Sequence, residues 1–133
     1  MAAVTLQETL NKIVALSIPG VKSIRKAPPS LVSSAMLPVG YLRNCVISMD
    51  QRSLSFQGGL QTVLCELVIL VDASRQGTVD DLYERTRQIA DDIVHVLNDN
   101  AANLRLDDFT IKEDFEAIET NSYFIVSATI RCA

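Results

Sequence analysis

The chain has 133 residues, the size of one domain able to bury roughly two thirds of its unfolded surface. Apolar residues make up 48%, aromatics only 5%, and Trp is absent, which excludes a disordered chain and points to an aliphatic core. A formal charge of −4 argues against a nucleic-acid binder, yet it suits a surface past which DNA slides without sticking, because like charges repel phosphate.

Met1-Ala2-Ala3-Val4 offers neither a basic segment nor a long apolar run, so no secretory leader is expected and the protein reads as soluble and made in a cytoplasm. Thr5-Leu6-Gln7-Glu8 is a capping box: the Thr5 hydroxyl can accept from the Glu8 amide while the Glu8 carboxylate reaches back. Leu6, Leu10, Ile13 and Val14 follow on one face, and Pro19-Gly20 ends the element, predicting a helix over residues 5–17. Residues 21–26 alternate weakly and read as a short edge strand. Ala27-Pro28-Pro29-Ser30 then breaks regular structure, since proline lacks the donor a sheet needs. Residues 27–37 are expected to form a long loop displaying Leu31, Val32, Met36 and Leu37, and loops that long and apolar tend to dock onto something.

Residues 41–49 read as a strand and Gly58-Gly59 as a turn. The run from Val63 to Val71 reads as a central strand buried on both faces. It contains Glu66 and falls far short of the ~20 residues that span a bilayer. After residues 72–77, Thr78-Val79-Asp80-Asp81 caps a second helix, with acids in the first turn where the dipole favours them. At about 100° per residue, Val79, Leu82, Tyr83, Thr86, Ile89, Ala90, Ile93, Val94, Val96 and Leu97 share one arc. Asp80, Asp81, Glu84, Arg85, Arg87, Gln88, Asp91, Asp92 and His95 occupy the other. Two strands close the chain, one setting Phe109, Ile111, Phe115 and Ala117 on one face. The next alternates Phe124, Val126, Ala128, Ile130 and Cys132 with Tyr123, Ile125, Ser127, Thr129 and Arg131, after a turn at Thr120-Asn121-Ser122. The sum is a single α+β domain over residues 1–133: a mostly antiparallel sheet, two helices packed on one face, and a C-terminal β-hairpin. With no third helix to cover the other face, a second copy of the chain is the expected cover.

No reaction is spelled out. Cys45, Cys65 and Cys132 are odd in number and dispersed, which reads as free thiols in a reducing compartment. His95 is the single histidine; with Asp91 and Asp92 it outlines a metal site only weakly and reads as a solvated helix face. There is no nucleophile elbow, no second histidine for a triad and no phosphate-binding glycine loop. Glu66 reads as a residue meeting water or a partner subunit; a catalytic carboxylate there needs a second group that the sequence does not identify. Asp80, Asp81, Glu84, Asp91 and Asp92 form an acidic helix face, either solubilising, or the wall of a channel, or a docking face for a basic partner.

A capped helix at residues 5–16 is followed by the proline-led strand Leu37-Pro38-Val39-Gly40-Tyr41 and a long strand closing over residues 66–72. An acidic-start helix over residues 78–97 and a hairpin ending in Tyr123-Phe124-Ile125-Val126-Ser127-Ala128-Thr129-Ile130 complete the order. Over nearly the whole chain this order and size resemble the tail terminator, or tail-completion, proteins of long-tailed bacteriophages, the minor tail protein U type. Neck and head–tail joining proteins are their neighbours. The stretch over residues 25–59 departs from that pattern in being longer and more apolar. The resemblance implies a structural virion protein without catalytic residues, cofactor or metal. It would be assembled in the host bacterial cytoplasm as a homohexameric ring that caps the tail tube and stops its polymerisation. Its partners would be itself, the tail tube protein and a head-side connector, with genomic DNA only passing through. Ring closure needs two different patches on each subunit, and Pro28, Pro29, Leu31, Val32, Met36, Leu37 and Glu66 are the candidates. A small dimeric adaptor module and a small enzyme built on Glu66 or the Asp91, Asp92 and His95 group are the competing readings.

Overall fold

Thr5 starts the first helix as expected: its backbone is extended and its hydroxyl accepts from the Glu8 amide at 3.3 Å. The computed structural model describes residues 5–29, 32, 36–49, 61–71, 79–118 and 121–133. Helix α1 covers Leu6–Val14 and tightens at its end, where the Leu16 amide donates to the Ile13 carbonyl at 3.0 Å. It therefore stops short of residue 17, and Gly20, at φ +82°, takes the left-handed turn that a side chain would resist.

Five strands follow: β1 Ser23–Arg25, β2 Val39–Met49, β3 Gln61–Val71, β4 Leu106–Ile118 and β5 Asn121–Cys132. They form one sheet in the order β1-β2-β3-β5-β4. β1 runs parallel to β2 and every other pairing is antiparallel, so the domain is α+β with β3 at the centre. Helix α2, Val79–Asp99, and the four-residue α3, Ala101–Leu104, lie between β3 and β4. The expected turn at residues 120–122 moves, because the hairpin pairs Ile118 with Asn121 and draws Asn121 and Ser122 into β5. The expected Gly58-Gly59 turn, the loop at residues 72–77 and the cap at Thr78 lie outside the described residues. Among the described residues no helix is long and apolar enough to cross a membrane.

Alternation along the strands divides the core in two. Leu42, Leu67 and Ala128 stand side by side across β2, β3 and β5, as do Cys65 and Ile130. These join Val63, Ile69, Val126 and Cys132 in a cluster that also contains Leu10 and Ile13 of α1 and Ile89, Ile93 and Leu97 of α2. Each fully buried aliphatic side chain here contributes about 1.5–3 kcal/mol. Gly40 faces the same layer because a Cβ there would lie 2.9 Å from Ile69 Cδ1.

On the opposite face Val39, Tyr41, Val68, Leu70, Tyr123 and Ile125 form a second buried cluster with Leu37, and Val32 and Met36 pack against it. The topology explains this. Parallel neighbours need a crossover, so residues 26–38 must return from the end of β1 to the start of β2. The expected display of Leu37 is thereby corrected, and that of Val32 and Met36 in part. Leu37 and Pro29 are buried, Val32 and Met36 are half-buried, and only Pro28 of these proline-loop residues stands exposed. Leu31 lies outside the described residues. Val32, Met36 and Leu37 of the chain's own crossover cover this part of the sheet.

Candidate functional site

Below the crossover the same face turns polar. In register, Arg43 of β2, Glu66 of β3, Thr129 of β5 and Thr110 of β4 form one row across the sheet. Arg43 Nε donates to Glu66 Oε1, with side chains 25% and 15% exposed respectively. Half-buried charges are tolerated when paired, so Glu66 serves to neutralise Arg43. The register neighbours of Glu66 are Arg43 and Thr129. Directly after this row β2 bulges: the register shifts between Arg43 and Val46, and Asn44 sits at φ 53°.

The acidic helix face exists but is interleaved with cations. Asp81, Glu84 and Asp91 are exposed, Asp92 is half-buried, and the Asp80 side chain lies outside the described residues. Arg87 Nε donates to Glu113 Oε1 of β4 at 2.8 Å and lies over the Tyr83 ring at 5.2 Å, binding helix to sheet. The Glu113 partnership raises the Arg87 pKa further above its usual value. Gln88 Nε2 donates to Asp92 Oδ1 at 3.1 Å. His95 is exposed, and among the described residues no three His, Cys, Asp or Glu side chains are grouped to hold a metal ion.

A half-open cavity of about 360 Å³ lies between the Pro19-Gly20 turn, the cis Leu37–Pro38 bond, the end of β3 at Val71 and the α2 residues Arg85, Gln88, Ile89 and Asp92. Among the described residues that line it, most are apolar, Arg85 is a cation, Asp92 is an acid, and none is a serine, cysteine or histidine. The buried thiols supply no nucleophile either: burial pushes Cys65 up to about 12 and Cys132 up to about 11, keeping both protonated. Cys45 is exposed, and partial desolvation raises it as well.

What remains is the margins of the sheet. β1 pairs only with residues 39–41 of β2, so among the described residues the outer side of residues 44–48 has no neighbouring strand and their side chains are exposed. Val46 and Ile47 stand there at 47% and 48% exposure. β4 is the other margin, and Phe115 on it is 58% exposed, resting on Phe124 with ring centroids 4.2 Å apart. The exposed large apolar side chains among the described residues thus all lie on the two margins. Alternation alone did not single these residues out, because it cannot say which strand ends a sheet. One signal was available: six of the thirteen residues of β4 are charged, as is usual for a guarded edge. Comparison with models of known protein families and with curated proteins finds no match.

Proposed function

We propose that this protein is a structural, non-catalytic subunit of a phage tail or neck, of the terminator type, acting as a homo-oligomeric ring on the end of the tail tube. The observation that carries this reading is the order of elements: capped helix, sheet strands, long acidic-start helix and closing hairpin, in one small α+β domain. The ring stops tube polymerisation and presents a surface to the head-side connector. Its partners are further copies of itself, the tube protein and the connector, in the virion. The exposed acids of α2, Asp81, Glu84 and Asp91, suit a wall past which DNA moves, since they repel phosphate instead of holding it.

Native mass measurement over a wide concentration range, with electron microscopy of the same sample, tests the reading. A closed ring, hexameric by mass, is expected, together with blocked elongation of tail tubes when the protein is added. A protein that stays monomeric at every concentration and leaves tube growth unaffected would refute it. A strict dimer would favour the adaptor reading instead.

A further inference from the structure

We infer that the two margins of the sheet are the two complementary patches through which copies of this chain join, the β1–β2 margin of one copy against the β4 margin of the next. The inference rests on the ring reading and names its contact surface. A closing ring requires a heterologous interface made of two different patches per subunit. The margins meet that requirement, standing on opposite sides of one sheet and differing in chemistry.

Charge separates them first. Lys22, Arg25 and Lys26, all exposed, flank or form β1, and no acid lies among residues 22–26. β4 exposes Asp107, Asp108, Glu113 and Asp114; Glu113 pairs with Arg87 at 2.8 Å, and Lys112 and Arg131 lie 3.9 and 3.8 Å from Asp114 and Asp108, which leaves a small acidic excess carried by Asp107. Two β1 margins repel each other, whereas a β1 margin and the slightly acidic β4 margin attract. Like-charge repulsion therefore disfavours a twofold dimer through β1 and favours head-to-tail contact.

Apolar anchors sit on both margins. By register Ile47 lies beside Val63, on the helix side of the sheet, and Val46 beside Leu64 on the other side. Residues 46 and 47 thus present apolar surface on both sides of one uncharged edge, the kind that natural sheets otherwise guard. On the opposite margin Phe115 borders a hollow of about 240 Å³ with Tyr83, Glu113 and Phe124, room for an aliphatic side chain. An aromatic and aliphatic centre within a charged rim is the usual anatomy of a protein interface.

The test uses blocked edges. Val46→Glu with Ile47→Glu adds acid to the margin that must meet β4, and Phe115→Lys adds a cation to the margin that must meet β1 and β2. Each variant alone is expected to lose the ring and run as a monomer at concentrations where the wild-type chain is assembled, with an unchanged far-ultraviolet circular dichroism spectrum. Mixed one to one, they are expected to form a heterodimer, because each retains the margin the other lacks. Rings that survive in both variants, or a mixture that stays monomeric, overturn the assignment. So does a self-dimer of Phe115→Lys, which would reveal a twofold contact through β2. A wild-type chain that never assembles sinks the ring reading itself, whereas a wild-type ring with indifferent variants sinks only the margins. If a blocking variant does not fold, Arg25→Glu with Lys26→Glu and Asp107→Lys with Asp114→Lys test the same margins by charge: each alone is expected to lose the ring, their mixture to regain a closed ring of alternating copies, and a mixture that stays monomeric overturns the assignment.

Discussion

Replacing Val68 by alanine tests which layer covers the face opposite the helices. Val68 is 0% exposed and lies between Tyr41 and Ser127 in register. The change removes two methyl groups, and at ~0.8 kcal/mol for each, plus the cavity left behind, the loss is about 2–3 kcal/mol. Val126→Ala supplies the standard. Val126 is also 0% exposed, lies on the helix side, and sits in an interior strand. Both substitutions forfeit the same β-propensity, a contribution of up to ~1 kcal/mol that cancels in the comparison. If the crossover covers Val68 within a single chain, the two losses agree to within about 1 kcal/mol. Urea unfolding at a concentration where the chain is monomeric measures both. With a slope of ~1–3 kcal/mol/M, each midpoint falls by about 1–2 M. A Val68→Ala loss below ~0.5 kcal/mol in dilute solution that grows with protein concentration would refute the reasoning, because a second chain would then be the cover.

Three further outcomes follow from single positions. Gly40→Ala forces a methyl to within 2.9 Å of Ile69 Cδ1 and 3.2 Å of Ile24 Cγ1 and is expected to cost about 1–3 kcal/mol. Adding Ile69→Val should make the double variant more stable than the sum of the two by at least ~0.5 kcal/mol, and strict additivity in a double-mutant cycle would count against the contact. Among the described residues the buried Ser127 hydroxyl has no hydrogen-bond partner, so Ser127→Ala is expected to stabilise by about 1 kcal/mol, seen as a melting temperature raised by a few degrees; a lowered one would show a satisfied hydroxyl. Cys65 and Cys132 ionise at about 12 and about 11 in the fold, above their ordinary value near 9.0. The unfolded chain therefore releases these protons first and holds fewer of them, so stability falls from about pH 9 upward, by ~1.4 kcal/mol per pH unit for each thiol. Cys132→Ala removes one such contribution, and a wild-type-minus-variant difference that stays flat from pH 8 to 11 would contradict the burial.

Periodicity made much of the fold readable because it reports burial directly. The unbroken apolar run Leu67-Val68-Ile69-Leu70-Val71 announced a strand covered on both sides, and Ile89, Ile93 and Leu97 announced the helix stripe that covers one of them. What covers the other side was not readable, since it depends on β1 being parallel to β2. Parallel pairing is a long-range choice with no local signature, and it packs Val32, Met36 and Leu37 of the proline loop against the sheet. The short helix Ala101–Leu104 escaped for a local reason: Asn100 makes no side-chain cap there and instead donates to the Val96 carbonyl at 2.8 Å. Among the candidate site residues, Glu66 was conspicuous as a charge in an apolar strand, but its partner Arg43 lies 23 residues away and became visible only through the pairing of β2 with β3.

The division of labour among apolar residues follows from the same topology. Helices occupy one face of β3 and the crossover occupies the upper part of the other, so the residues that hold a single chain together, such as Val68 and Val126, are already spent. Val46, Ile47 and Phe115 contribute little to that core at their exposure, and substitutions at such positions change stability by only ~0.5 kcal/mol. Under the proposed assembly, stability and association reside in disjoint sets of side chains. Val46→Glu with Ile47→Glu should leave the urea midpoint of the dilute chain nearly unmoved while altering its mass at high concentration, and Val68→Ala should do the reverse. A variant of either set that moved both quantities together would mean that the margins and the core form one cooperative unit, with the ring then part of the fold and not an addition to it.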